Sequence, residues 1–380
     1  MQNPKILIIC SLGNSLINFR GDFIATLIQN NFEVWCAAPE FDDIETIDAL
    51  KVLGAKTITY TLESDGLNPI KDLQSIKDLK AIIKKNKIDI VFPYTIKPVI
   101  YSSIAARKFN IPVYSLITGL GFTFSGVTLK AKFLQLITQF LYREALKKNE
   151  AVIFQNKDDQ NLFIDKKIIT EKQKSYVVDG SGINLKRFKF RVHNRDNDDT
   201  IKFIIIGRLI KEKGVELFLE AAKTLKQEYP KAEFHLIGNP PDNNSSAVSM
   251  DYLDLLHKDK IIHYHGHQDN VIPILSEADV FVLPSYYREG VPRSILEALS
   301  IGMPIITTMM PGCRETIIPD KNGILIPPKE LDPLTNAMKY FLDNPQQIAI
   351  MGKNSRELAE SKFDVDLINS KLLKIINPKQ

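Results

Sequence analysis

Short apolar runs alternate with longer amphipathic stretches along most of the chain. In the N-terminal half the runs are Lys5–Cys10, Glu33–Ala38, Thr57–Leu62, Asp89–Tyr94, Pro112–Ile117 and Ala151–Gln155. Short Ile- and Val-rich runs bounded by turn residues predict strands buried on both faces. Between them an apolar period near 3.6 predicts helices over about Leu16–Asn30, Pro69–Asn86 and Thr128–Lys148. In the last helix Leu129, Phe133, Leu136, Phe140 and Leu141 share a side that is expected to pack on the core. Lys130, Lys132, Arg143, Lys147 and Lys148 lie elsewhere on it.

The alternation lapses over Lys186–Thr200, where charge replaces apolar periodicity, so the interdomain linker is expected there. It resumes with strands at Lys202–Gly207, Glu233–Gly238, Ile261–Asp269, Phe281–Ser285 and Met303–Thr308. The intervening helices are Val215–Tyr229 and Pro292–Ser300, and three more follow at about Pro333–Asp343, Gln346–Ser361 and Val365–Ile376. Strand, loop and helix repeating in both halves predict an α/β fold of two Rossmann-like domains, residues 1–185 and 200–363.

Composition narrows the function classes. A chain of 380 residues suits two domains, and 25% charged with 44% hydrophobic residues is ordinary for a globular protein. A net charge of +4 is too mild to argue for nucleic acid. Cys10, Cys36 and Cys313 are odd in number and far apart, which fits neither a disulfide framework nor a zinc spacing and suits a reducing cytosol. Ile6–Cys10 and Val34–Ala38 are far shorter than the ~20 residues of a membrane span. A strand stands where a signal peptide has its apolar segment, so a cytoplasmic location is expected.

The candidate chemistry centres on Glu289–Gly302. Glu289 falls on a loop after the Phe281–Ser285 strand, and Glu297 falls on the next helix. The first turn of that helix offers backbone N–H groups suited to a phosphate. Two carboxylates for hydroxyls, with a phosphate between them, describe a nucleoside-diphosphate sugar. Spacing alone also fits a solvated i,i+4 pair of Arg293 and Glu297. Arg208 leaves one strand end and Lys213 precedes a helix, a plausible diphosphate site. In the N-terminal half Gly13 and Arg20 stand at a helix start. Thr95 and Lys97 follow a strand end, and Gly119 and Gly121 permit close backbone approach to a ligand. His263, His265 and His267 alternate, but Gly266 ends the strand, so no metal site is expected. No convincing Asp-x-Asp motif stands at a strand end; Asp196–Asp198 falls in the expected linker.

Arg208 and Lys213 in GRLIKEKG, the stretch PSYYREGVPRSILEALSIGMPIITT and PGCRETI resemble the retaining glycosyltransferases of family four. TIKP, TGLGFTF, FQNKDD and DGSGIN resemble the branch that extends lipid-linked saccharides for capsule, O-antigen or bacterial glycoprotein glycans. One departure is the doubled tyrosine Tyr286–Tyr287, where the pattern usually has one. The resemblance implies the GT-B fold, two Rossmann-like domains facing across a cleft, with a last helix, about 364–380, returning to the N-terminal domain. It implies that Glu297 holds the ribose, Glu289 faces the donor sugar, and Arg208 and Lys213 hold the diphosphate and stabilise it as it leaves. Gly13, Gly290, Val291, Ser294 and Ile295 complete the expected donor site, and Arg20, Thr95, Lys97, Gly119 and Gly121 the acceptor site.

The expected reaction is metal-independent, cofactor-free transfer of a hexose or N-acetylhexosamine from a UDP-sugar. The expected acceptor is a polyprenyl-diphosphate-linked saccharide, reached by peripheral contact with the anionic inner face of the cytoplasmic membrane. A nucleotide-sugar 2-epimerase and a non-catalytic nucleotide-sugar-binding partner stand as alternatives. A nicotinamide oxidoreductase is disfavoured because the first loop lacks Gly-x-Gly-x-x-Gly.

Overall fold

The computed structural model describes residues 3–41, 44–63, 68–121, 124, 129–192, 200–242 and 244–377, with backbone alone for 129–131. Phe122, Thr123, Thr128, the Asp196–Asp198 pair and the last three residues of the expected C-terminal helix lie outside them. The chain forms two compact units. One comprises Met1–Ser181 with Val365–Gln380, the other Gly182–Asp364.

In the first unit the described strands are β1 (Lys5–Ile9), β2 (Glu33–Ala38), β3 (Lys56–Thr59), β4 (Ile90–Pro93), β5 (Tyr114–Ile117), β6 (Ala151–Phe154) and β7 (Ser175–Val177). They pair in parallel in the order β3-β2-β1-β4 and, separately, β5-β6-β7. Parallel bridges at Val91–Val113 and Tyr94–Leu116 join the two sets. The pairing follows from composition: Ile6 to Ile9 and Ala151 to Phe154 are sealed on both faces, so crossovers must be helices. One crossover is helix Ile96–Arg107, which begins inside the TIKP stretch expected as a loop. The C-terminal helix Val365–Ile376 belongs to this unit. Its Ile368, Leu372 and Ile376 join the cluster of Leu16, Phe23 and Leu27, and Asn369 Nδ2 donates to Thr26 Oγ1 at 3.2 Å.

Helix Leu129–Leu146 departs from expectation. Its buried side is Thr138, Tyr142, Ala145 and Leu146, with Tyr142 edge-on to Phe163 at 5.2 Å. Phe133, Leu136 and Phe140, expected in the core, are 66%, 64% and 56% exposed. An apolar stripe at i, i+3 and i+7 identifies a face without identifying what covers it.

In the second unit the strands are β8 (Lys202–Ile206), β9 (Glu233–Ile237), β10 (His263–Tyr264), β11 (Val280–Leu283), β12 (Ile305–Thr308) and β13 (Gly323–Ile326). All pair in parallel, in the order β10-β9-β8-β11-β12-β13, the doubly wound arrangement. Phe234 stacks on Phe203 at 5.6 Å and meets Phe218 edge-on at 6.3 Å in the core.

The passage between units falls at Ser181–Gly182 rather than in Lys186–Thr200. The described part of the expected linker, residues 186–192, is fastened to the second unit. Phe188 is buried, and its carbonyl accepts from Ser300 Oγ at 2.6 Å and Arg356 Nη1 at 3.1 Å. Arg191 N–H donates to Ile301 O at 2.8 Å. Charge made this segment look like a tether, but Arg191 and Phe188 anchor it. Among the described residues, no helix is long and apolar enough to cross a membrane. Phe188→Ala should therefore cost about 3–5 kcal/mol, as for a core phenylalanine, and lower the urea midpoint of the second unit. A true linker residue would stay within about 0.5 kcal/mol.

Candidate active site

The order of strands in the second unit reverses between β8 and β11, and ligands of open α/β sheets collect outside the carboxyl ends at such a point. The loops leaving those two strands carry the sequence-predicted cations and carboxylate. After β8 come Arg208 and the 3-10 turn Lys211–Lys213. Gly214, at φ +76°, then opens helix Val215–Glu228. A Cβ on Gly214 would lie 2.3 Å from the Pro284 carbonyl oxygen at the end of β11, so only glycine lets the two loops meet. On the other side Gly312, at φ +87°, presses on the Gly290 carbonyl, where a Cβ would lie at 2.0 Å.

These close approaches bring Lys213 against Glu289. The ammonium and Oε1 form a tight ion pair, each side chain 13% exposed. Ser285 Oγ donates to the same Oε1 at 3.3 Å. The doubled tyrosine has a structural use: the N–H groups of Tyr286 and Tyr287 both donate to Glu212 O, at 2.8 and 3.0 Å. Their rings take cations, Tyr286 from Lys329 at 4.7 Å and Tyr287 from Arg208 at 5.6 Å. Arg208 itself is exposed.

Glu297 lies on helix Arg293–Ile301, whose entrance at Pro292 has no capping side chain. The Arg293–Glu297 pair, which spacing also allowed as a solvated surface pair, is mostly buried. Nε and Oε1 are 3.3 Å apart, and Arg293 Nη1 also donates to Gly182 O at 2.8 Å. Burial raises the Glu297 carboxyl above its usual range; Arg293 and Arg187 oppose that shift without cancelling it. Gly290, Val291 and Ile295 are buried around this helix start, and Ser294 is half-buried.

The first unit repeats the arrangement at its own reversal, between β1 and β4. Gly13 follows β1 and is held so close to Glu40 O that a Cβ would lie at 2.7 Å. Thr95, at φ +70°, follows β4 and its hydroxyl donates to Ser11 Oγ at 3.1 Å. Gly119 and Gly121 follow β5, both at positive φ. Lys97 is engaged: its ammonium donates to Glu63 O at 2.6 Å and lies 3.5 Å from Asp72. Arg20 is buried, its guanidinium 5.4 Å over the Tyr94 ring.

The histidines divide. β10 ends at Tyr264, and His267 stays exposed beside Asp269. His263 and His265 instead flank His235 of β9, a partner that sequence reading missed because it lies 28 and 30 residues upstream, with β9–β10 register the only signal for it. Burial and the neighbouring imidazoles push the His235 ring down to about 4, against a weaker upward pull from Glu233.

Two doubly wound units, the second with a cation–carboxylate pair and a mostly buried second carboxylate at its switch point, have the architecture of GT-B glycosyltransferases. Family comparison agrees in both halves. Residues 186–358 match the model "Glycosyl transferases group 1" and residues 5–156 match "Glycosyl transferase 4-like". The C-terminal half thus carries a group 1 glycosyl transferase domain and the N-terminal half a 4-like one. It is 28% identical over 375 residues, 96% of each chain, to the N,N'-diacetylbacillosaminyl-diphospho-undecaprenol alpha-1,3-N-acetylgalactosaminyltransferase of Campylobacter jejuni subsp. jejuni. It is 29% identical over 306 residues, 78% of this chain and 77% of the relative, to the UDP-Gal:alpha-D-GlcNAc-diphosphoundecaprenol alpha-1,3-galactosyltransferase of Escherichia coli. The fold matches Anabaena HepE in complex with UDP at a TM-score of 0.77 and 17% identity, covering 98% of this chain and 100% of that one.

The environment of Glu297 makes a prediction about stability. A carboxyl raised on folding binds its proton more tightly in the native state than in the unfolded chain. Stability is therefore lost as pH rises through the interval above 4.5, and the neutral-pH charge destabilises. Glu297→Gln should unfold at a higher denaturant midpoint than the parent at pH 7, the gain shrinking toward pH 4.5. A lower midpoint at pH 7 would mean the Arg293 pair outweighs desolvation.

Proposed function

We propose that this enzyme transfers a hexose or N-acetylhexosamine from a UDP-sugar, with retention of configuration and without a metal ion, to a polyprenyl-diphosphate-linked saccharide. The observation that carries the reading is the Lys213–Glu289 pair at the switch point of the second unit, with Arg208 on the same loop as Lys213. Both relatives described above act on diphospho-undecaprenol saccharides and form alpha-1,3 linkages, and one uses UDP-Gal. An α-linked product from an α-linked nucleotide sugar keeps its anomeric configuration.

In this mechanism unit 2 holds the donor. Glu297 accepts from the ribose hydroxyls, Glu289 faces the sugar, and backbone groups of Gly290, Val291, Ser294 and Ile295 approach the diphosphate. An ammonium has three donors, so Lys213 serves Glu289 and phosphate oxygens together. As the glycosidic bond breaks, negative charge grows on the diphosphate and positive charge on the sugar. Fixed cations aimed at the first stabilise the transition state more than the ground state. The acceptor hydroxyl attacks from the face the diphosphate leaves, with Glu289 kept as an electrostatic partner rather than a nucleophile. The same cations support metal independence, because they offset the leaving-group charge that a divalent ion would otherwise neutralise.

Unit 1 is assigned the acceptor, through Thr95, Lys97, Gly119, Gly121 and Arg20. The exposed Phe133–Leu136–Phe140 stripe with Lys132 beside it supports contact with an anionic lipid surface. On this reading the lipid face is both apolar and basic.

The decisive assay is transfer by the purified chain alone, in EDTA, from UDP-sugars to a polyprenyl-diphosphate saccharide. Product with the donor's anomeric configuration is expected, and loss of activity restored only by manganese or magnesium would sink metal independence. Arg208→Ala should lower kcat on the order of 10²–10³-fold, as for an oxyanion-type donor, with stability within about 0.5 kcal/mol because the side chain is exposed. A rise in KM at constant kcat would assign Arg208 to ground-state binding. Phe133→Ser with Phe140→Ser should cut binding to anionic liposomes and transfer to lipid acceptor about 10-fold or more, leaving a short-chain soluble acceptor within about 2-fold. Equal loss on both acceptors would remove the stripe from acceptor delivery.

A further inference from the structure

On the β9–β10 side of the second unit, four side chains that ligate metals project from one sheet face. Glu233 and His235 are two apart on β9, and His263 and His265 are two apart at β10, with His263 in register with His235. Ligand atoms of Glu233, His235 and His263 all lie within 4.8 Å of one another. His235 Nε2 is 3.1 Å from Glu233 Oε2, and its Nδ1 is 3.0 Å from His265 Nε2. None of these four residues takes part in the transfer chemistry assigned above.

We propose that Glu233, His235 and His263 form a binding site for a divalent transition ion of the zinc class, with His265 positioning His235. Two imidazoles and a carboxylate suit zinc and its borderline neighbours rather than magnesium or calcium. Zinc holds such ligands at about 2.0–2.2 Å, so ligand atoms around it lie roughly 3.3–3.6 Å apart. Glu233 and His235 already stand near that spacing at 3.1 Å, and with all three ligand atoms within 4.8 Å of one another a side-chain rotation of His263 brings the third into reach. The His235–His265 contact has the form of the outer hydrogen bond that fixes the tautomer of a ligating histidine: with Nδ1–H donating to His265, the Nε2 lone pair points at the ion. Glu233 and His263 line an open pocket of about 580 Å³ with His257, Lys226, Lys231, Lys258 and Lys260. The remaining coordination position faces that pocket, where the lysines favour water or an anion as the last ligand. Bound metal ties two-residue β10 to β9 and so stabilises the sheet edge.

The test is zinc titration of the EDTA-dialysed full chain against a chromophoric chelator, with cobalt as a spectroscopic probe. One saturable site is expected, with cobalt giving the visible bands of a four-coordinate N/O environment and zinc raising Tm. His263→Ala and Glu233→Gln should each weaken binding by more than about 10-fold, and His265→Ala by about 10–100-fold. His267→Ala, at an exposed histidine outside the cluster, should change nothing. Circular dichroism confirms that each variant is folded; should His263→Ala fail to fold, the milder Glu233→Gln decides. Absence of a saturable site, or a loss with His267→Ala matching that of His263→Ala, would overturn the proposal. The readout is binding, so its outcome is independent of whether transfer itself is established.

Discussion

The active site rests on one steric constraint: the loops leaving adjacent parallel strands β8, β11 and β12 must meet without a Cβ between them. Gly214 lies against Pro284 and Gly312 against Gly290, at distances no alanine tolerates. That approach places Lys213 beside Glu289 and makes the ion pair possible. The pair then keeps a charged lysine and a charged glutamate largely out of water, where each alone would be costly. Loop geometry comes first and electrostatics follow.

The first unit meets the same constraint with other residues. Gly13 and the strained Thr95 occupy the ends of β1 and β4, and Ser11 and Thr95 share a hydrogen bond across the reversal point. Its loops carry hydroxyls, glycines and an engaged lysine, whereas those of the second carry a cation–carboxylate pair. Two copies of one topological device have thus been given different chemistries, as sites grafted on a common fold allow.

Much of this was legible in sequence because buried parallel strands leave continuous apolar runs. The runs at residues 5–10, 33–38, 202–207 and 281–285 place β1, β2, β8 and β11, and with them the loops that matter. Three features were not legible, each for a physical reason. Phe133, Leu136 and Phe140 form an apolar face, but periodicity does not tell a core face from one left to a partner. Residues 186–192 look like a charged tether, because a sequence does not reveal that Phe188 is buried or that Arg356 caps its carbonyl. His235 joins His263 and His265 only through strand register, a long-range property. The i,i+4 spacing of Arg293 and Glu297 was visible, but their desolvation depends on tertiary packing.

The placement of Val365–Ile376 bears on how the protein is made. Residues 182–364 are, topologically, an insert within the first unit, whose core needs Ile368, Leu372 and Ile376. During vectorial synthesis the usual order, N-terminal domain first, is therefore reversed in part. The inserted unit holds all its own strands once residue 364 has cleared the ribosome, while the unit begun first waits for the last helix. Until then helix Ser15–Gln29 presents Leu16, Phe23 and Leu27 without their covering partner, and the nascent chain carries that exposed surface until residue 376 has emerged.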